Sequence, residues 1–142
     1  MVKDVSYEGI GVQAATFKVD ATTITKLKAS FLDAATQKVD INGKNLAVKL
    51  SADNTVGFGA ASPTTADAFF GVILTYEEDG YAAVQYAGFV EGVETTGAVG
   101  LGVKTLAVND AGKVASVSST DGHGMVTKAA TADDKTANIL IG

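Results

Sequence analysis

The chain has 142 residues and no cysteine or tryptophan. Its eleven basic residues are all lysines, and it has one histidine and one proline. Each shortage narrows what the protein can do. Without cysteine there is no disulfide, no thiolate ligand and no nucleophilic thiol. Arginine is the usual fork for phosphates and base edges. An arginine-free chain of net charge −5 is repelled by nucleic acid over most of its surface, so no nucleic-acid partner is expected. Without tryptophan, and with four tyrosines, the aromatic platforms of a glycan-binding β-sandwich are scarce. No apolar run approaches the ~18 residues of a membrane span, so no membrane partner is expected. The opening run "MVKDVSYEG" lacks the apolar core of a signal peptide.

What is present is small and apolar. Hydrophobic residues make up 46% of the chain and charged residues 19%, which fits one globular domain over 1–142 with some surface covered by a partner. Glycines punctuate short β-branched and aromatic runs, the pattern of an all-β domain built of hairpins. Asn42-Gly43 in "KVDINGKNLAVKL" predicts one hairpin. Its second arm would be half-buried, with Leu46, Val48 and Leu50 on one face. Glu78-Asp79-Gly80 predicts a second hairpin and Asn109 to Gly112 a third. "GMVTKAA" and "TANILIG" predict two closing strands. The arm from Phe69 to Tyr76 is apolar on both parities, so it is either central or covered outside by another chain. Gly88 interrupts the next strand and predicts a bulge or bend where it passes into another sheet. Ile24, Leu27, Phe31, Leu32 and Ala35 follow helical spacing, predicting a short amphipathic helix over 23–36 capped by Asp20 or Thr22.

Catalytic constellations are hard to assemble. "GAVGLGVKT" fails the phosphate-loop spacing, because Val103 separates Gly102 from Lys104. Glu77-Glu78-Asp79 and Asp133-Asp134 fall in turns, and Glu91 and Glu94 have opposite strand parity. "DAGKVASVSSTDG" lacks the calcium-loop pattern. His123, in "DGHGM", has no serine in a nucleophile elbow and no cysteine to share zinc. It reads as a turn residue before a strand. A small hydrolase using His123 is the enzyme alternative. The expectation is no enzyme, no catalytic residue, no metal and no cofactor.

Three motifs carry a resemblance. The first is "KLSADNTV" followed by "DAFFGV", Asp67 to Val72. The second is "DGYAAVQYAGFV", Asp79 to Val90. The third is "LAVNDAGKV" followed by the two closing strands. In this order the chain resembles the capsid decoration (head cement) proteins of tailed bacteriophages, from about Leu46 to the C-terminus. The resemblance implies a compact β-barrel or β-tulip-like domain, often a homotrimer, on the outer capsid surface of the virion. There it stabilises the shell by bridging capsomers of the major capsid protein. Residues 21–41 read as an insertion relative to that pattern. Residues 1–12 are expected either to lie as an extended arm on a neighbouring sheet edge or to close their own barrel. Val5, Tyr7, Ile10, Phe69 and Ile73 are the candidate partner-binding residues. Another virion β module, of the tail tube or fibre base, is the nearest alternative.

Overall fold

The computed structural model describes residues 12–41, 43–118 and 123–142. The strands are β1 (Gln13–Val19), β2 (Leu32–Asp33), β3 (Lys38–Val39), β4 (Leu46–Ala52), β5 (Thr55–Gly57) and β6 (Gly71–Glu77). They continue as β7 (Tyr81–Glu94), β8 (Leu106–Val108), β9 (Val114–Ser116), β10 (Gly124–Lys128) and β11 (Thr136–Ile141). One α-helix, α1 (Ala21–Phe31), follows β1.

Five strands close a barrel in the order β1-β5-β4-β6-β7, and β7 returns to pair with β1. The β1–β5 contact is parallel and the other four are antiparallel. The expected all-β barrel is therefore the observed fold. Closure removes most of the sheet edge that would otherwise stand unpaired.

Alternation along the barrel strands separates two cores. Val19, Val56, Leu46, Val48, Ile73, Ala82 and Val84 come from all five barrel strands and meet in one cluster, with Leu27 of α1 added. Contributions from every wall place that cluster inside the barrel. Ala47 and Val72 have the other parity and join a second cluster outside it. There they meet Val90 and Val93 of β7, Leu106 and Val108 of β8, and Ile139 and Ile141 of β11. Burying each such aliphatic side chain contributes about 1.5–3 kcal/mol.

β6 shows why its arm is apolar on both parities. It lies between β4 and β7, and Val72 and Ile73 are both fully buried, each in a different core. The arm is central. Phe69 (1% exposed) and Ile73 (0%) are core residues of this chain, which corrects their expected role as partner contacts. β4 also departs from the half-buried pattern. Leu46, Ala47 and Val48 are all buried, while Leu50, beyond the covered stretch, is exposed.

Gly88 sits where β7 changes partners. Residues up to Ala87 pair with β1, and Gly88 to Glu94 pair with β11. Its φ of +102° is open to glycine and strained for other residues. The bend expected there is present, and it lets one strand serve both cores.

The helix begins where the cap predicts. Asp20 accepts a hydrogen bond from Thr23 N–H at 2.8 Å. It ends at Phe31, five residues short of the expected Thr36, because Leu32-Asp33 turns into β2 and pairs with β3. That pairing also corrects the Asn42-Gly43 hairpin. β3 pairs with β2, and β4 pairs with β5 and β6. The chain does turn there, with Lys44 N–H donating to Ile41 O at 3.0 Å. The flanking arms separate because Val39 and Ile41 are drawn into the barrel core. The hairpins at 78–80 and 109–112 and the two closing strands stand as predicted.

Candidate functional site

The two ends of the barrel differ. At one end lie the C-terminal residue of β1, the C-terminus of β5 and the start of β7. Helix α1 covers this end, with Thr23 Oγ1 accepting from Phe58 N–H at 2.9 Å and Leu27 fully buried in the barrel core. At the other end lie the later residues of β4, the start of β6 and the middle of β7, and no α-helix of the described residues covers it.

Aromatic rings gather at this second end. Phe70 is the hub. Phe17 meets it edge-on at 5.4 Å, and Tyr86 and His123 lie nearly parallel to it at 6.3 and 5.7 Å. A shallow pocket of about 340 Å³ opens beside them, lined by Leu50, Ala66, Ala68, Phe69, Phe70 and His123. Leu50, half-exposed at its rim, is among the most exposed large apolar residues of the described chain. Sequence reasoning placed Leu50 on a buried face and missed this rim; the signal was the polar Ser51, Asp53 and Asn54 that follow it.

His123 is held as a structural piece. Its Nε2 lies 2.8 Å from Tyr86 O; a carbonyl only accepts, so Nε2 carries the proton and donates. Its backbone N–H donates to Phe69 O at 3.1 Å, and its O accepts from Gly142 N–H at 2.8 Å. The ring therefore ties the chain before β10 to β7, and the backbone of His123 ties it to Phe69 and Gly142. Gly124 beside it is required by space. A Cβ there would come within 2.7 Å of Ile139 Cγ2 and 3.0 Å of the Phe69 ring.

The carboxylates are likewise engaged structurally. Glu78 Oε1 accepts from Val39 N–H at 2.7 Å, pinning β3 to the β6–β7 turn. Glu94 lies 3.6 Å from Lys44 Nζ and 3.9 Å from Lys113 Nζ. Asp67 is the one buried acid among the described residues. Its Oδ1 accepts from Lys49 Nζ at 2.8 Å and its Oδ2 from Thr64 N–H at 3.0 Å. Burial pushes its carboxyl up, but the Lys49 hydrogen bond and charge and the Thr64 and Ala60 N–H groups outweigh it. The net effect holds Asp67 below the ordinary carboxylate range. Tyr76 is pushed above its ordinary value by burial and by the charges of Glu78 and Asp79. Among the described residues no group of three or more His, Cys, Asp or Glu is placed to hold a metal ion. None of their helices is long and apolar enough to cross a membrane.

The candidate partner-binding residues thus fall apart as a set. Phe69 and Ile73 are interior, and Val5, Tyr7 and Ile10 lie outside the described residues. Among the described residues the exposed large apolar side chains are Val12, Leu32, Leu50, Leu74, Tyr81 and Leu101. Compared with known proteins, the chain matches no protein-family model and no curated protein.

Proposed function

We propose that this chain is a structural virion protein that binds the outer surface of a mature tailed-phage capsid and stabilises it by bridging capsomers. The observation that carries the reading is the resemblance of its ordered motifs to decoration proteins. "KLSADNTV" spans the β4–β5 hairpin, "DGYAAVQYAGFV" most of β7, and "LAVNDAGKV" the β8–β9 hairpin. The three motifs thus lie within one continuous barrel-based unit.

The physical logic is mass action. A protein that binds the expanded shell and not its precursor stabilises the expanded state by RT ln(1 + [L]/Kd), about 2.7 kcal/mol per site at a hundredfold excess over Kd. Repeated over a lattice, modest contacts suffice. The low charge density and the exposed apolar side chains support a covered surface. The net negative charge suits a position away from packaged DNA. On this reading the N-terminal Val5, Tyr7 and Ile10 supply contacts to the capsid protein, and three copies assemble around a local three-fold on the shell.

Purified protein mixed with undecorated mature capsids should co-sediment with them and raise their resistance to chelator or heat. Precursor shells should leave it in the supernatant. Absence of co-sedimentation with mature shells, with the protein soluble and folded, would overturn the reading. Removal of Met1 to Gly9 should weaken the binding at least tenfold.

A further inference from the structure

β1 carries a stretch of barrel wall that pairs with no strand on one side among the described residues. Hydrogen bonds fix which groups point where. Val19 N–H donates to Gly80 O at 2.9 Å, on the β7 side. Lys18 N–H donates to Asn54 O at 3.2 Å and Asp20 N–H to Val56 O at 3.0 Å, on the β5 side. Alternation then directs Phe17 and Ala15 toward β7, and Thr16 and Ala14 away from it. The β4–β5 hairpin turns at Asp53-Asn54, level with Lys18, and β1 pairs with β5 only at Lys18 and Val19. The first half of β1 therefore runs past the hairpin tip. The outward N–H and C=O groups of Ala14 and Thr16 meet no backbone partner among the described residues.

This edge lacks the usual protections. Val12 to Phe17 holds no charged residue and no proline, and Val12 to Thr16 are exposed. The register shift between Gln13 and Ala14 puts its extra residue, Tyr86, in β7, so β1 itself is not bulged. Natural sheets blunt free edges with lysine, proline or bulges, and this one carries none of them.

We infer that this edge pairs with the same edge of a second copy of the chain, antiparallel, about a two-fold axis at Ala15. The run is self-complementary. In that register the outward groups of Ala14 face those of Thr16 in the other copy, so each of these N–H groups meets a C=O. Lys18 stays bonded to Asn54 of its own β4–β5 hairpin, which ends the paired run at Phe17, and no charged residue lies within that run. Ala15 packs on its own symmetry mate with no bulk between the strands. An isologous contact of this kind closes on itself and does not propagate. It joins copies pairwise and is distinct from the three-fold arrangement of the capsid reading, on which it does not depend. The strand is short, well under the area of a standard stable interface, so the pairing belongs to high protein concentration or to copies held side by side.

Two experiments on the full chain test it. In sedimentation velocity, the weight-average mass of the unmodified protein should rise toward a dimer with concentration. Thr16→Pro should remain monomeric with an unchanged circular dichroism spectrum, because its lost N–H points away from β7. The absence of native cysteine allows a second readout. Directly opposed non-hydrogen-bonded residues lie about 4.5 Å apart at Cα, within the disulfide range of about 4.4–6.8 Å. Ala15→Cys should therefore oxidise to a covalent dimer at least tenfold faster than Leu101→Cys, a control site that is 70% exposed. Equal oxidation rates, or a protein monomeric at all concentrations, would overturn the inference. So would a Thr16→Pro variant that self-associates like the unmodified chain. A monomeric protein whose Thr16→Pro variant loses capsid binding would also overturn it, by giving the edge to a foreign strand.

Discussion

Replacing Asp67 by Asn removes one charge from the barrel's flank and leaves the shape intact. The amide oxygen can still accept from Thr64 N–H, so the local turn at Thr65–Asp67 is kept. The amide NH2 then faces Lys49 Nζ, so the ion pair with Lys49 and its hydrogen bond are both lost. Exposed pairs of this kind contribute about 0.2–1 kcal/mol, and breaking a fully buried pair costs about 3–5 kcal/mol. Here the lysine side chain is 22% exposed and the aspartate 6%, between the two regimes, and Lys49 can partly recover hydration. The expected loss is about 2 kcal/mol at pH 7, a lowering of Tm by about 6–8 °C for a chain of this length. Acidity provides the sharper check. Asp67 is held below the ordinary carboxyl value of 3.8 in the folded protein. Its contribution is therefore complete above that value and is lost as pH falls through the lower, folded value. Urea denaturation of both proteins from pH 7 down to pH 3 should show the stability gap narrowing only below about pH 4. A gap under about 0.5 kcal/mol at pH 7, against the buried-pair range, would refute the reasoning. So would one that does not change with acidity.

Three further substitutions probe the fold. Gly124→Ala drives a methyl against Ile139 and Phe69 and should cost about 1–3 kcal/mol by overpacking, read as a lower urea midpoint. Asp20→Ala removes the cap of α1 and should cost about 1 kcal/mol, with helical circular dichroism reduced before the barrel melts. His123→Ala loses the bond to Tyr86 O and the stack on Phe70. It should cost about 1–2 kcal/mol, with capsid co-sedimentation retained if the ring is purely structural.

Local features were legible in the sequence and closure was not. The turns at Glu78–Gly80 and Asn109–Gly112 are written by residues that need no distant partner. Asn109, for example, accepts from both Ala111 and Lys113 N–H with its own side chain. Asp20 and Gly88 were readable for the same reason. Asn42-Gly43 misled because a strong turn signal fixes a bend and does not fix which strands flank it. The pull of Val39 and Ile41 into the core decided that. The parallel β1–β5 contact and the β1–β7 seam leave no local mark, since both depend on residues far apart in the chain. Phe69 and Ile73 looked like interface residues because two-sided apolarity has the same pattern whether the cover is foreign or internal. Here it is internal, supplied by the barrel interior on one side and by β8 to β11 on the other. At the candidate site, the turn character of "DGHGM" was legible. The stack of His123 on Phe70 was not, because it joins residues from separate hairpins.

β7 runs through both halves of the structure, and this sets the order in which the chain can fold. Its first half completes the barrel, where Phe17 meets Ala82; its second half carries β11, where Ile139 meets Val90. Neither core can close until this strand is in place, and the barrel seam joins the two ends of a long stretch of chain. Such distant pairing slows folding relative to a protein of local contacts. On the ribosome, β1 must wait for β7 to emerge, and the outer core must wait longer, for β11. A chain truncated before Thr136 would therefore expose the β7 half that β11 normally covers, and its expected fate is aggregation rather than a smaller stable barrel.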